Sequence, residues 1–280
     1  MKTGLILEGG AHRAIYTAGV LDVFMENGIT FDGVVGVSAG AIHGGSYVAG
    51  QNKRNIGYTL KYAADKRYMS FYSLLTTGDL VGKKFCYEDL PDKLVPFDYE
   101  AFKKAKTKFY AVCSNLETGK ADIIAIKDMK KQMDTLRASA SMPLVSQIVD
   151  IDDKKYLDGG ISDSIPLRAF QKMGYKKCVV VATRPEGYTK KPNPLSFIAK
   201  LVYHKYPNFI KALCLRHNHY NTELFDIEHA AENKEILLIR PSKNLAISRM
   251  EKDKKKLQEM YDLGRADATS ILNEVKKFLS

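Results

Sequence analysis

The stretch 36-GVSAG-40 closes an apolar run, 31-FDGVVGVS-38, and leads into the small residues of 39-AGAIHGGSYVAG-50. This pattern predicts a strand that turns sharply into a helix at Ser38. Gly36 and Gly40 remove the side chains that such a turn would drive into neighbouring backbone. Ser38 then projects from the start of a helix, where the macrodipole and free N–H groups favour negative charge. A buried turn rich in glycine, serine and alanine has the same letters, so position constrains the fold more than the pattern does. Only 37 residues precede Ser38, room for one β-α unit and the elbow strand.

The rest of the chain repeats that alternation. The run 4-GLIL-7 ends at Glu8-Gly9-Gly10 as a buried parallel strand ends in a turn, and Ile15, Ala18, Val20, Leu21 and Phe24 follow at approximately helical spacing before Gly28. Further strands are expected at 109–116, 121–126, 178–183 and 236–241, and helices at 129–140 and 165–175. The runs at 178–183 and 236–241 are continuously apolar, as in a parallel sheet covered on both faces. The fold class expected is α/β, a three-layer α/β/α arrangement with a mostly parallel central sheet. One domain over 1–280 is expected, with the motifs in 1–184, a helical insertion or cover at 185–235, and a last core strand plus terminal helices at 236–280.

Composition sets the outer bounds. The formal charge is +11. The first fifty residues hold only Lys2 and Arg13 against Glu8, Asp22, Glu26 and Asp32, so the excess lies beyond them. The lysine clusters lack interleaved aromatics, and no nucleic-acid partner is expected. No run of about 18 apolar residues is present, and 1-MKTGLILEGG-10 lacks the apolar core of a secretory signal. Cytoplasmic residence is the expectation. Cys86, Cys113, Cys178 and Cys214 have neither zinc-site nor disulfide spacing and read as reduced thiols. The acidic group Asp150, Asp152 and Asp153 reads as a hairpin turn, without the spacing of a calcium loop. No metal and no cofactor are expected.

An ester carbonyl attacked by a serine becomes an oxyanion that needs preorganised donors. The turn 8-EGGAHRA-14 offers backbone N–H groups at Gly9, Gly10 and Ala11 with little side chain to block them. A right-handed β-α-β unit brings this turn beside the elbow. For activating Ser38, none of His12, His43, His204, His217, His219 or His229 has distinctive surroundings. Asp158, in 156-YLDGGISDSIP-166, is the better candidate, because Gly159 and Gly160 allow its carboxylate to meet another loop closely. Asp-Gly is also a hairpin signal, and 148–160 resembles two short strands around Asp152-Asp153. Desolvation in an apolar cleft would raise a carboxylate into the range of a useful base.

Together 9-GGAHRA-14, 36-GVSAG-40 and 158-DGG-160 resemble the patatin-like phospholipases in order and approximate separation, and 139-SASMP-143 is similar to the family's stretch ahead of its aspartate. The resemblance runs from about Leu5 to Arg184. It implies a lipid acyl hydrolase with a serine-aspartate dyad: Ser38 as nucleophile forming an acyl-enzyme, and Asp158 as proton acceptor. It further implies an oxyanion hole at Gly9, Gly10 and Ala11, with His12, Arg13, Ala14, Gly36, Gly40, Gly159 and Gly160 completing the motifs and Arg13 near an anionic head group. The family usually carries glycine where this chain has Ala11 and Ala14.

Other readings remain at this level. An α/β-hydrolase triad of Ser38, Asp158 and a later histidine has the right chain order, but that fold places several strands ahead of its elbow. A dinucleotide turn at 9–14 with Asp32 leaves 36–40 and 158–160 unexplained. A non-catalytic lipid-binding protein of the same fold is the third. The substrate expected is a lipid or other acyl ester. The segment 195-LSFIAKLVYHKYPNFIKALCLRH-217 mixes aromatic and aliphatic residues with lysines, a composition suited to peripheral contact with an anionic membrane, at the inner face for a cytoplasmic protein. Two ordinary helices packed on the sheet have the same composition.

Overall fold

The computed structural model describes residues 1–280. Strands β1 (Lys2–Leu7), β2 (Gly33–Val37) and β3 (Lys108–Asn115) are joined by α1 (Ile15–Glu26) and, after β2, by α2 (Ala39–Val48), α3 (Arg54–Tyr62), α4 (Phe71–Thr77), a π-helical turn at Phe85–Leu94 and α5 (Tyr99–Lys104). Then come β4 (Ala121–Ile126), α6 (Met133–Ser139), β5 (Val149–Ile151), β6 (Lys154–Asp158), α7 (Leu167–Lys172), β7 (Tyr175–Val181), α8 (Ser196–Val202), α9 (Pro207–Glu232), β8 (Ile236–Ile239), α10 (Lys254–Ser270) and α11 (Leu272–Leu279). All eight strands share one sheet ordered β5-β6-β3-β2-β1-β7-β8, with β4 paired to β3. β2, β1, β7 and β8 run parallel, as does β3 to β2, and the β4 and β6 pairings are antiparallel.

The continuously apolar strands divide their side chains between two cores. Leu5, Leu7, Val179 and Val181 pack with α1, α2 and α10, whereas Ile6, Val180, Phe170 and Tyr220 lie in the core under α7 and α9. That is the three-layer α/β/α arrangement expected from the sequence. α1 and α10 approach closely because Gly19 lies on the Tyr261 carbonyl and Gly264 on the Tyr16 carbonyl, where a Cβ would stand 2.2 and 2.1 Å away respectively. Gly264 therefore sits inside a continuous helix as a packing contact.

Two differences from the sequence reading have local causes. The helix expected at 129–140 begins only at Met133, because the Gln132 side chain accepts the N–H groups of Lys127 and Asp128 and donates to the Ala125 carbonyl, holding that stretch as a turn against β4. Residues 54–104, to which the sequence reading assigns no element, carry three helices and the π-helical turn. The buried face of α3 includes Asn55 and Thr59, which hide its apolar period, and Pro91 breaks the ladder of the π-helical turn. The segment 148–160 is the hairpin expected, with Asp152 and Asp153 both at positive φ (48° and 60°), and Asp158 is the last residue of its second strand.

Candidate active site

One strand brings Ser38 and Asp158 together. Val112 of β3 pairs with Val37, and the next residue, Cys113, pairs with Asp158. β4 occupies the other edge of β3 at this point, since Cys113 also pairs with Asp122. β6 therefore continues the edge that β2 leaves when the chain turns at Ser38. Gly159 is needed here, because a Cβ on it would lie 2.1 Å from the Val112 carbonyl oxygen.

The elbow has the strain expected of it. Ser38 has φ 55° and ψ −125°, and it is the residue that leads into α2. A Cβ on Gly36 would stand 2.4 Å from the Ala41 Cα, and one on Gly40 2.4 Å from the Leu7 carbonyl oxygen. The Ser38 N–H donates to the Ser139 hydroxyl at 2.9 Å, a contact that only the resemblance of 139–143 hinted at. Asp158 is 5% exposed, and one carboxylate oxygen accepts the Gly160 N–H at 2.8 Å. Burial pushes the Asp158 carboxyl above the usual carboxylate range. Arg216, the Ser38 hydroxyl, the Gly160 N–H and Arg249 pull in the opposite direction.

The glycine turn lies beside the serine. A Cβ on Gly9 would meet the Ser38 Cβ at 2.8 Å. No protein acceptor takes the N–H of Gly9, Gly10 or Ala11. Ala11 adopts φ 49°, the region that favours glycine, at the start of a short 3-10 turn through His12, Arg13 and Ala14. Glu8, which the sequence reading left without a role, anchors this turn. Its carboxylate accepts the Thr183 N–H at 2.6 Å and the Tyr220 hydroxyl at 2.9 Å, tying β1 to the end of β7 and to α9. The Thr183 hydroxyl also reaches the Gly9 carbonyl at 2.9 Å.

Two cavities meet at Ser38. One, about 1020 Å³ including its mouth, is walled by Ile42, Tyr58, Leu90, Phe97, Met129 and Leu136 among others. Much of that wall comes from 54–104. The other, about 1100 Å³, is polar and contains Asp158 together with Glu8, Arg13 and Arg216. Ala11, Ser38 and Met142 line both. His12 and His43 face the apolar cavity, and burial lowers both imidazoles, that of His43 to about 4. No histidine hydrogen-bonds to Ser38 or Asp158; the His204 ring contacts the Leu201 carbonyl. Arg13, on the short turn, lines the polar cavity. No cluster of three or more side chains suited to a metal is present, and no helix is long and apolar enough to cross a membrane.

Comparison with known proteins gives the family. The family model described as Patatin-like phospholipase matches residues 5–170, and a second, described as a domain of unknown function (DUF6363), matches 206–280. A protein of Escherichia coli (strain K12) named Uncharacterized protein YjjU is 26% identical over 286 residues, which take in all of this chain and 79% of that protein. Among solved structures, VipD from Legionella pneumophila superposes with a TM-score of 0.49 at 13% identity, covering 98% of this chain and 67% of VipD. The match over 5–170 takes in the glycine turn, the elbow and the Asp-Gly-Gly motif, and the chain belongs to the patatin-like phospholipase family.

Proposed function

We propose that the protein is a serine hydrolase that cleaves carboxylic esters of lipids through a Ser38–Asp158 dyad and an acyl-enzyme, with residues 1–280 as one catalytic unit. The observation that supports this reading is the pairing of consecutive β3 residues with Val37, the residue before the elbow serine, and with Asp158, whose carboxylate is buried. Ser38 Oγ attacks the ester carbonyl carbon while its proton passes to Asp158. The N–H groups of Gly9, Gly10 and Ala11 receive the oxyanion. The carbon–oxygen bond to the alcohol then breaks, and Asp158 returns the proton to the departing oxygen. A water molecule next gives a proton to Asp158 and attacks the acyl carbon, the bond from that carbon to Ser38 Oγ breaks, and Asp158 returns the proton to Ser38 Oγ as the carboxylic acid leaves. The raised proton affinity of Asp158 favours both transfers to it.

The apolar cavity suits the acyl chain, and the exposed surface around it suits a lipid interface. Phe71, Tyr72 and Leu75 on α4 and Phe197, Leu201 and Val202 on α8 are all exposed, Leu75 at 87%. Between these helices runs the loop 142–147. Its Val145 carbonyl accepts the Leu80 N–H at 2.8 Å, and its Leu144 N–H donates to the Tyr203 hydroxyl at 2.9 Å. Met142 to Val145 line the cavities at Ser38. An apolar rim beside the entrance favours peripheral binding to an anionic membrane by a cytoplasmic protein. No cofactor is required by this chemistry.

Hydrolysis of a short-chain p-nitrophenyl ester tests the dyad. Ser38→Ala and Asp158→Asn each lower kcat by about 10²- to 10⁴-fold with the fold intact by circular dichroism, while replacement of His204, His217, His219 or His229 leaves it within about twofold. Full activity in Asp158→Asn removes the mechanism.

A further inference from the structure

The polar cavity at Ser38 gathers five cations from four separate parts of the chain: Arg13 on the glycine turn, Arg184 and Lys190 after β7, Arg216 on α9 and Arg249 ahead of α10. Its only carboxylates are Glu8 and Asp158. Neither lies within 4 Å of any of these cations as an ion pair, and none of the five pairs with another acidic side chain elsewhere. Glu8 is occupied by Thr183 and Tyr220, and Asp158 accepts the Gly160 N–H. The cations instead rest on aromatic faces and backbone. The Lys190 ammonium is 4.0 Å from the centre of the Tyr220 ring, and the Arg184 guanidinium is 4.1 Å from that of Tyr188. Arg216 donates through Nε to the Gly160 carbonyl, and Arg13 Nε is buried without a partner.

These positions are built into the fold. The loop after β7 is fixed to α9 by two hydrogen bonds between Lys190 backbone and the Asn221 side chain, at 2.8 and 3.1 Å. The Arg249 carbonyl accepts the His12 N–H at 3.3 Å, joining the last loop to the glycine turn. Burial and mutual repulsion both act against their charge. Burial, together with Arg216, Arg249 and Arg184, pulls the Lys190 ammonium down to about 7, and burial with Arg184 and Arg249 pulls Arg13 down to about 10. Cations held together against repulsion, in a cleft that opens on the candidate nucleophile, call for an anion that the protein itself does not supply.

We propose that this cleft is a head-group subsite for a phosphate that carries no ammonium, so that the substrates are acidic glycerophospholipids, phosphomonoesters above phosphodiesters. The inference rests on Ser38 as the nucleophile: with the acyl chain in the apolar cavity, the head group of the same molecule falls on the other side of Ser38. Four guanidinium forks suit the oxygens of a phosphate. A phosphomonoester carries nearly two negative charges at neutral pH and is the better match to five cations. A choline or ethanolamine group would bring a sixth cation into the cleft, where both carboxylates are already engaged.

The test uses dihexanoyl lipids below their micelle concentration, so that attraction of a basic protein to a charged surface plays no part. Dihexanoyl phosphatidic acid is expected to exceed dihexanoyl phosphatidylcholine in kcat/KM by about tenfold or more, the factor that one hydrogen bond to a charged group supplies. In the Lys190→Gln/Arg249→Gln double variant the ratio falls towards one. Calorimetric titration of the Ser38→Ala protein with the same two lipids and with inorganic phosphate gives a readout independent of turnover, and phosphatidic acid is expected to bind more tightly than phosphatidylcholine. Equal handling of the two lipids, or a ratio unchanged in the double variant, overturns the proposal. Binding of inorganic phosphate without any preference between the lipids also overturns it, because the cleft then serves a free anion. Absence of turnover on every ester, p-nitrophenyl butyrate included, counts against the nucleophile reading alone, and the titration then decides the subsite.

Discussion

Ala11 stands at φ 49° with a side chain that disfavours that region, in the turn that lies beside the candidate nucleophile. An alanine there costs about 1–2 kcal/mol relative to right-handed backbone, and glycine would remove that cost while losing part of it to the unfolded chain. Ala11→Gly is therefore expected to gain up to about 1 kcal/mol in urea unfolding with turnover retained, and a loss of stability would show that the methyl group has a packing role instead. Asp158 carries the opposite tension. Its carboxyl is raised by burial, so the folded state binds its proton more tightly than the unfolded chain does. The stability it contributes is fully present below the unfolded pKa and is lost as pH rises through the folded value. Asp158→Asn should accordingly be more stable than the parent at pH 7 and lose that advantage in acid, as thermal unfolding at the two pH values would register. The parent's kcat/KM should fall in acid at a pH above the ordinary aspartate range, since the base must be ionised.

At the scale of elements, the hairpin β5–β6 and the strand β3 settle a question that the letters left open. The Asp-Gly signal at 158–160 and the turn at Asp152-Asp153 belong to one device: the hairpin supplies a strand whose last residue reaches the elbow. The motif residues were legible because each needs a backbone peculiarity that glycine marks, a close approach at Gly36, Gly40 and Gly159. The pairing that joins them was not, since nothing in a strand's own sequence names its neighbour. α8 gives a further case. Its composition fits a lipid-facing cover or an ordinary packed helix, and in the structure Phe197 and Leu201 are 65% and 67% exposed, while Ala199 is buried. If this face meets lipid, Phe197→Ser/Leu201→Ser should weaken partition to anionic vesicles by about 100-fold, taking about 1.5 kcal/mol or more per buried side chain. Sedimentation with vesicles measures this, and unchanged partition would return α8 to the role of a packed helix with a bare outer face.

Across the whole molecule, the layered sheet was readable because its parallel strands are continuously apolar, whereas the two cavities were not, because each is assembled from segments far apart in the chain. The polar cleft draws on residues from Glu8 to Arg249. The apolar one is walled largely by 54–104, where buried Asn55 and Thr59 and the proline within the π-helical turn erase the periodicity by which helices are recognised. That wall has a functional consequence if the cavity holds an acyl chain. Gly45, on the second turn of α2, opens into it, and a Cβ there would meet the mobile end of Met129 at 2.9 Å with Phe97 at 4.0 Å. Gly45→Leu should fill the inner part of the cavity at small cost to folding, since a flexible methionine end can give way. Excluding three or four methylenes, at about 0.8 kcal/mol each, should lower the ratio of kcat/KM for p-nitrophenyl dodecanoate over butyrate by about 100-fold. A uniform loss on both esters would mean that the substitution disturbs the elbow, and an unchanged ratio would mean that the acyl chain lies elsewhere.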